Sequence, residues 1–363
     1  MKIALTLLIA VHGSIHLLGF VKAFHLGNIT QLTKEISKLP GTLWLLTAIA
    51  FGVTILLFIL KKEYWWMIAL TAAIISQVLI ITAWQDAKFG TIANIIIFAV
   101  ALLSGGNYLF ERRFMQDVSV HLHLSQPIQH DLVTLADIEP LPIPVQRYLK
   151  YVGVVDKPKV KNVCIVFEGE MRQKDKDWFP FTSRQYNFFE QPSRLFFMKA
   201  RMFGITVPGY HHYTNEKAKM DVRLFGMIPV SHHSGPLMNK AETVTFFNDM
   251  CMFAPAALID KRIRWKPIDN NTVLAHFTNG DITISATLYF NDIGQLIDFR
   301  SDDRTDVSVM KQYTFSTPAK DYRIINGYQL AHFGEAIWMH PEGAFVYGKF
   351  QLKEVKYNEQ GRR

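Results

Sequence analysis

The chain has 363 residues, of which 49% are hydrophobic, and it carries a formal net charge of +8. The length suits two domains. The Lys and Arg residues are scattered rather than clustered, which argues against a nucleic-acid partner. Two cysteines far apart, Cys164 and Cys251, exclude a disulfide framework.

Four apolar runs before Phe110 have the length of membrane-spanning helices. Residues 41–60 carry no charge and would extend ~30 Å as an α-helix, the thickness of the hydrocarbon core of a bilayer. We therefore expect residues 1–113 to form a four-helix transmembrane bundle, which makes the chain a multi-pass integral membrane protein. The predicted spans are residues 3–21, 41–60, 64–84 and 91–109.

The membrane orientation follows weakly from the charges that flank these spans. With the N-terminus inside, five Lys or Arg residues lie in inner segments and four in outer ones. Because cytoplasmic segments are enriched in Lys and Arg, this small excess favours a cytoplasmic C-terminal domain.

Two histidines stand four residues apart in the first span, so His12 and His16 share one helix face. Ionisable groups at membrane depth are candidates for function. The pair is a candidate for a metal or haem, for a proton relay, or for a hydrogen bond to a quinone. A hydrogen bond between helices, beside Gly13 and Ser14, is the alternative, and Gln77 and Asn94 suit such bonds as well.

Residues 114–139 are expected to be a linker or a first edge strand. They contain His121, His123 and His130, and the alternation of the first two would place them on one side of a strand. A metal site there is one interpretation. The following domain is predicted to cover residues 140–358, with a tail at 359–363.

The second part of the chain reads as an α+β domain. Apolar residues at helical spacing predict a short helix at residues 145–152, and from Val160 the apolar period changes to two. Strand-like runs separated by turn signals such as Asn279-Gly280 predict a large, curved, mainly antiparallel sheet. A helical insertion at residues 237–260 interrupts the strands, and Pro255 restarts it.

In some predicted strands, large apolar residues occupy the positions that point to both faces of the sheet. Either both sheet faces are covered by a large core, or the concave face forms an apolar cavity that suits a lipid-like ligand. Trp265 and Trp338, which belong to the candidate ligand-binding residues, suit core or rim positions as well. The candidate ligand-binding residues are Phe196, Phe197, Met198, Phe203, Phe247, Trp265 and Trp338.

Several blocks of sequence stand out along the chain: HGSIHLLGFVKAF from His12, LPIPVQRYLKYVG from Leu141, VRLFGMIPV from Val222, AETVTFFNDMCMFAPAALI from Ala241, Trp265, LYFNDIGQL through Asp303-Arg304, and GAFVYGKFQLKEVKYN from Gly343. In these blocks the chain resembles a family of uncharacterised bacterial membrane proteins with N-terminal transmembrane helices and a C-terminal domain of unknown function, and the resemblance implies a place in the bacterial cytoplasmic membrane. The resemblance lies in blocks that follow one another along nearly the whole chain, and it implies no known activity. More loosely, the predicted sheet resembles the half-barrel of outer-membrane lipoprotein carrier proteins.

Candidate chemistry in this domain is sparse. Glu242, Asp303 and Arg304 could form a catalytic acid–base set, although such groups are more often structural ion pairs. His211 and His233 belong to two pairs of adjacent histidines, and one member of each pair could contribute to a metal site.

Three functions remain open from the sequence. The first is binding of a hydrophobic or lipid-like molecule at the membrane surface, with the helices as an anchor. The second is an enzyme that acts on a lipid or quinone, with Glu242, Arg304 and a histidine in its site. The third is an interaction module without ligand that pairs with another membrane protein. The sequence favours a protein that is not an enzyme, and it predicts no cofactor.

Overall fold

The computed structural model describes residues 2–125, 131–307 and 309–361. They divide into two compact units, Met1–Phe110 with Phe225–Met227, and Glu111–Leu224 with Ile228–Arg363.

The first unit is helical. Four of its helices are long and apolar enough to cross a membrane, and the short α4 is the exception. Their packing depends on close approach, since a Cβ atom on Gly19 would lie 2.3 Å from the indole ring of Trp44. The helices are α1 (Lys2–Ala23), α2 (Lys38–Ile59), α3 (Trp65–Thr82), α4 (Trp84–Ala87) and α5 (Gly90–Leu124). The part of α5 from Glu111 onwards belongs to the second unit.

Helix α5 corrects the expectation of a linker from residue 114. It continues to Leu124, because its last turns bury Phe114 and Val118, each 1% exposed. His121 and His123 therefore lie in a helix, where residues two apart point in different directions, and not on one side of a strand. His130 lies outside the described residues.

The second unit combines short helices with many strands. Its helices are α6 (Leu135–Ile138), α7 (Ile143–Val152), α8 (Pro236–Phe253) and a 3₁₀ helix at Pro255–Ile259. Its strands are β1 (Asn162–Met171), β2 (Phe179–Phe188), β3 (Ser193–Met202), β4 (Ile205–Thr214), β5 (Lys217–Leu224), β6 (Ile228–Ser234), β7 (Ile263–Pro267), β8 (Thr272–Asn279), β9 (Ile282–Phe290), β10 (Leu296–Ser301), β11 (Thr305–Asp306), β12 (Lys311–Gln312), β13 (Thr314–Ser316), β14 (Ala319–Ile325), β15 (Tyr328–His340) and β16 (Gly343–Tyr357).

One antiparallel sheet of 14 strands organises this unit. Its order is β6-β5-β4-β3-β2-β1-β16-β15-β13-β10-β9-β8-β7, with β14 beside β15. The pairing of β1 with β16 joins two meanders that are far apart in the chain. β6 and β7 end the order without pairing with each other, so the sheet is open. The predicted fold class, a helical bundle plus an α+β domain with a half-barrel-like sheet and a helical insertion, is confirmed.

Helix α8 fills the inner side of this sheet. It begins at Pro236, a residue that favours the first turn because its missing N–H would be unpaired there anyway. Phe247 stacks on Phe277 of β8 with ring centroids 5.3 Å apart and the planes 4° from parallel. Val244 and Phe247 are 0% exposed, so α8 is part of the main hydrophobic core.

Strand β3 shows why some strands carry large apolar side chains on both faces. Phe197 stacks on Phe114 of α5 at a centroid distance of 5.4 Å. The next residue towards the N-terminus, Phe196, points to the other face and contacts the ring of His211 at 5.4 Å. Residues 111–124 of α5 therefore cover the outer face of β3, in line with the alternative that both faces of the sheet are covered.

Candidate ligand-binding site

A buried group of charged side chains lies between α8 and strands β2 to β4, and we call Arg194, Glu242, Asp249 and His211 the ion cluster. Arg194 Nε donates to Asp249 Oδ2 at 2.7 Å and its Nη1 donates to Glu242 Oε2 at 3.0 Å. Glu242 Oε1 lies 2.8 Å from His211 Nδ1. Since a carboxylate accepts, His211 carries its proton on Nδ1 in this contact.

Two amides complete the coordination of this cluster. Gln185 Nε2 donates to Asp249 Oδ2 at 2.6 Å, and Asn187 Nδ2 donates to the same oxygen at 3.2 Å. Arg194 Nη2 in turn donates to Gln185 Oε1 at 3.1 Å. With three donors on one oxygen, Asp249 is held in a fixed orientation.

The secondary structure brings these side chains together. Gln185 and Asn187 are two apart on β2 and therefore share a face. Glu242 and Asp249 are seven apart on α8, which is two helical turns and again one face. The cluster was not predicted as a unit because these spacings lie in segments far apart in the chain.

Burial and pairing act against each other on the two carboxylates. Burial opposes ionisation of Glu242, but the charges of Arg194 and His211 outweigh it and lower its pKa to about 2. Burial dominates at Asp249 and raises its pKa, despite the bond from Arg194. The two carboxylates therefore differ in how easily they ionise, and Glu242 is the more strongly stabilised anion.

A cavity of about 160 Å³ adjoins the ion cluster. This volume has room for on the order of ten water molecules or an organic molecule of similar bulk. All members of the ion cluster line it, together with Arg304. Much of the remaining wall is apolar, from β1, β3, β13 and β16: Phe167, Met171, Phe196, Met198, Phe315 and Phe350.

Arg304 occupies an aromatic part of the cavity wall. Its guanidinium carbon lies 4.0 Å from the ring centroid of Phe315 and 5.0 Å from that of Trp338. Nη1 donates to the hydroxyl of Tyr347 at 2.7 Å. The indole of Trp338 stacks on the ring of Tyr347 at 5.8 Å, which fixes the phenol beside the guanidinium.

The cavity brings together several residues that the sequence analysis singled out. Glu242, Arg304, His211, Phe196 and Met198 all line it.

The other candidate ligand-binding residues lie elsewhere. Phe197 packs under α5, Phe247 belongs to the main core, and Trp265 on β7 packs against that core. Phe203 is 98% exposed at the turn between β3 and β4. Trp338 contacts Arg304 behind the cavity wall.

Asp303 makes structural contacts. It accepts hydrogen bonds from Lys240 Nζ at 2.6 Å and from the backbone N–H of Ser285 at 2.7 Å. Burial opposes its ionisation, yet the bonds from Lys240 and Ser285 hold its pKa below the ordinary value. Asp303 thereby ties the loop before Arg304 to β9 and α8.

The candidate metal ligands are not grouped into metal sites among the described residues, where no set of three or more His, Cys, Asp or Glu side chains has suitable positions. His211 is paired with Glu242. His233 lies opposite Met220 in the pairing of β5 with β6.

His12 and His16 belong to a polar network in the helical unit. His16 Nδ1 donates to the backbone oxygen of His12 at 2.9 Å, so its Nε2 accepts from Ser76 Oγ at 2.9 Å when the ring is neutral. His12 Nε2 lies 3.1 Å from Ser76 Oγ and 2.8 Å from Asn94 Oδ1. Asn94 Nδ2 then donates to Gln77 Oε1 at 3.1 Å. The network joins α1, α3 and α5.

The described residues thus define a class of protein: a chain with four membrane-length apolar helices and an α+β domain built on one open antiparallel sheet. The chain belongs to a family of unknown function, DUF6544, whose model matches residues 131–350. A search of curated proteins finds no significant match.

Two solved structures are similar to part of the chain. One is a LolA superfamily protein from Nitrosomonas europaea, with 8% identity and a TM-score of 0.34, covering 59% of this chain and 91% of its own. The other is described as an outer membrane lipoprotein-sorting protein domain from Vibrio parahaemolyticus, with 10% identity and a TM-score of 0.32, covering 54% and 85%. Both carry descriptions of the class named by the looser sequence resemblance.

Proposed function

We propose that the sheet domain binds a hydrophobic or lipid-like molecule in the cavity beside the ion cluster, and that the four apolar helices anchor it to the membrane. In this architecture residues 1–113 form the bundle, 140–358 the binding domain and 359–363 a tail. The carrying observation is the cavity itself: a space of about 160 Å³ with aromatic and methionine walls and a polar side.

The composition of the wall supports an amphiphilic ligand. Phe196 and Phe350 offer ring surfaces, and the methionines Met171 and Met198 adapt to irregular chains. The charged groups of the wall are the ion cluster and Arg304, and the charge of Arg304 acts on Glu242. A ligand with one narrow chain and one polar end matches this division, since binding sites combine apolar walls with a few placed polar groups.

Photo-crosslinking tests this proposal. The full chain, reconstituted in lipid nanodiscs, is incubated with a hexadecanoate that carries a diazirine, irradiated and digested for mass spectrometry. We expect crosslinks in peptides that line the cavity, such as those of β3 and β16. Crosslinks confined to the four apolar helices would contradict the proposal.

A matched pair of variants gives the control. Ala336 lines the cavity, so Ala336→Phe fills part of it and is expected to reduce crosslinking in β3 and β16. Ala344, at the exposed start of β16, accepts the same substitution outside the cavity. Ala344→Phe is expected to leave the crosslinks unchanged, with folding of both variants checked by thermal unfolding.

An enzyme acting on a lipid or quinone is the second candidate, favoured by one observation. Glu242, His211 and Arg304 line the same cavity, and Glu242 orients the imidazole of His211 at 2.8 Å. A histidine held by a carboxylate can act as a general base. Lipidomics of bacterial polar lipids incubated with the full chain or His211→Gln tests it; the same composition with and without the protein would eliminate this candidate.

The side of the membrane is also a proposal. The excess of flanking Lys and Arg residues favours a cytoplasmic sheet domain. A fluorescent-protein fusion at the C-terminus should then be bright, and an alkaline phosphatase fusion at the same position inactive. The reverse pattern would place the domain on the outer side.

A further inference from the structure

Arg304 is a cavity-lining cation without a carboxylate partner within 4.0 Å among the described residues, whereas the other cavity-lining arginine, Arg194, has two. Its Nε atom is buried and has no hydrogen-bond acceptor among those residues. A buried donor without an acceptor is costly. The guanidinium is nevertheless held in place, by the rings of Phe315 and Trp338 and by the hydroxyl of Tyr347.

The carboxylates around the cavity are already paired. Glu242 bonds to Arg194 and His211, Asp249 bonds to Arg194, and Glu335 lies 3.3 Å from Lys320. Arg304 acts on this group at longer range, since its charge helps to lower the pKa of Glu242. Its donors are therefore available to an acceptor that enters the cavity.

Tyr347 supplies a second donor at the same point. Its oxygen accepts from Arg304 Nη1, and a hydroxyl that accepts still has its own O–H to donate. An oxyanion in the cavity could thus receive one hydrogen bond from the guanidinium and one from the phenol. Such charge-assisted bonds are the strong ones in protein sites.

We propose that Arg304 and Tyr347 bind the oxyanion of an acidic amphiphile, a carboxylate or a phosphate, whose chain lies against Phe196 and Phe350. This inference rests on the proposed function, because it names the head group of the ligand that the cavity holds. It does not depend on the enzyme candidate.

Competition in the crosslinking assay tests it. Dodecanoate, dodecyl phosphate and dodecanol, which share one chain length, compete with the diazirine probe for the full chain. With wild type, we expect the better of the two acidic competitors to displace the probe at about tenfold or more lower concentration than dodecanol, the effect of one charge-assisted pair. The ranking of carboxylate and phosphate identifies the source of the oxyanion.

Substitutions at Arg304 and Tyr347 separate the head-group proposal from the proposed function. Arg304→Gln should reduce the preference for acidic competitors to about twofold or less, and Tyr347→Phe, a milder change, should reduce it in part. Arg300→Gln, an exposed arginine paired with Asp298, should leave it unchanged. Equal competition by dodecanol in wild type would overturn the head-group assignment alone. Failure of every competitor, with no crosslinks in the cavity, would overturn the proposed function as well.

A second inference rests on a different observation, the turn between β3 and β4. Phe203 and Gly204 both adopt left-handed conformations, with φ of 50° and 78°. Tight hairpin turns with two such residues favour Asn-Gly, and a phenylalanine there is strained. The same Phe-Gly pair with positive φ recurs at Phe225 and Gly226.

Phe203 gains no burial in exchange for this strain, because it is 98% exposed. Ile205, two residues further along the chain, is 37% exposed. Arg201 on the same hairpin is exposed and has no acidic partner within 4.0 Å among the described residues. An aromatic tip with a free arginine is typical of segments that enter the membrane interface, where Arg pairs with acidic head groups.

We infer that this hairpin tip inserts into the surface of a bilayer that contains acidic lipids. The same chain also carries four helices that are long and apolar enough to cross a membrane. The inference does not depend on the cavity or its ligand.

Site-directed fluorescence tests it. Cys164 and Cys251 are buried, and burial raises the pKa of Cys164 to about 11 and that of Cys251 as well, so a thiol-specific dye should label an introduced cysteine selectively. Phe203→Cys is compared with Ile324→Cys, which replaces a residue 73% exposed at the opposite end of the sheet.

In liposomes with acidic lipids, an NBD dye on residue 203 should shift to the blue and be quenched by lipid-borne nitroxides. The dye on residue 324 should instead be quenched by aqueous iodide. Iodide quenching of both sites would overturn the inference. Protection from both quenchers at residue 203 would also overturn it, since that result indicates a protein partner.

Discussion

Arg194 Nε donates a 2.7 Å hydrogen bond to Asp249 Oδ2, and the two side chains are 6% and 8% exposed. This bond fixes β3 to α8 at the cavity. Because Arg194 also pairs with Glu242 at 3.0 Å, a single cation neutralises much of the charge of two buried carboxylates. The ion cluster therefore balances the buried charge beside the cavity.

Removal of this cation is expected to destabilise the sheet domain strongly. Arg194→Met leaves Glu242 and Asp249 buried without their main partner, which costs about 3–5 kcal/mol. Thermal unfolding in detergent measures the loss, and Arg323→Met, at an exposed pair, is the control that should change little. Similar midpoints for both variants would contradict the structural role of Arg194.

The two carboxylates are expected to differ in their tolerance of neutralisation. Glu242→Gln should destabilise more than Asp249→Asn, because the fold lowers the pKa of Glu242 and raises that of Asp249. Both substitutions preserve size, so unfolding midpoints at pH 7 compare the charges. The opposite order would show that Arg194 stabilises the charge of Asp249 more than that of Glu242.

The contribution of Glu242 to stability should depend on pH. Its pKa falls from an ordinary 4.5 to about 2 in the folded chain. The stabilisation, on the order of 3 kcal/mol from this shift, is fully present above pH 4.5 and is lost as the pH falls towards 2. The stability gap between wild type and Glu242→Gln should therefore close across that range, and a gap independent of pH would refute the assignment.

Helix α5 should contribute to the stability of the sheet domain. Phe114 is 1% exposed and contacts Phe197 and Tyr210 at centroid distances of 5.4 and 5.5 Å. Phe114→Ala is expected to cost about 3–5 kcal/mol. The neighbour Met115 is 39% exposed, so Met115→Ala should cost much less; equal effects would mean that this part of α5 does not pack on β3.

Ser76 of α3 should stabilise the contact between α3 and α1 in the helical unit. It lies within hydrogen-bond distance of both His12 and His16. Ser76→Ala leaves His16 Nε2 without its partner, whereas His12 Nε2 keeps Asn94 Oδ1, and the expected cost is about 1–2 kcal/mol. The control is Thr71→Ala, since the Thr71 hydroxyl bonds to its own helix at Met67. Equal unfolding temperatures of the two variants in detergent would contradict a bridging role.

Hydrophobic period and length were sufficient to predict the fold class. Uncharged runs of about twenty residues predicted membrane-length helices, and period-two alternation with turn signals predicted an antiparallel sheet. The end of the last apolar run at residues 111–113, GluArgArg, suggested that the helix stops there. It continues because Phe114 and Val118, four apart, are buried. Phe114 packs on Phe197 of β3, and the sequence does not show that contact.

The candidate site was harder to predict from the sequence than the fold class. The charge of Glu242 and Arg304 makes both candidates in the sequence, and both line the cavity. Arg194, Gln185 and Asp249 were missed, because each belongs to a different strand or helix and pairing between them depends on tertiary packing. A weak signal existed: Gln185 and Asn187 are polar at alternate positions of a strand whose end is otherwise buried.

The most direct test of the account is to locate a ligand in the cavity. Crystals of the full chain grown with 12-bromododecanoate should show an anomalous bromine peak inside the sheet domain near Phe196, with the carboxylate at Arg304. The same peak should be absent from crystals of Ala336→Phe. Bromine found along the apolar helices, with an empty cavity in wild type, would contradict the central claim that this domain holds an amphiphile.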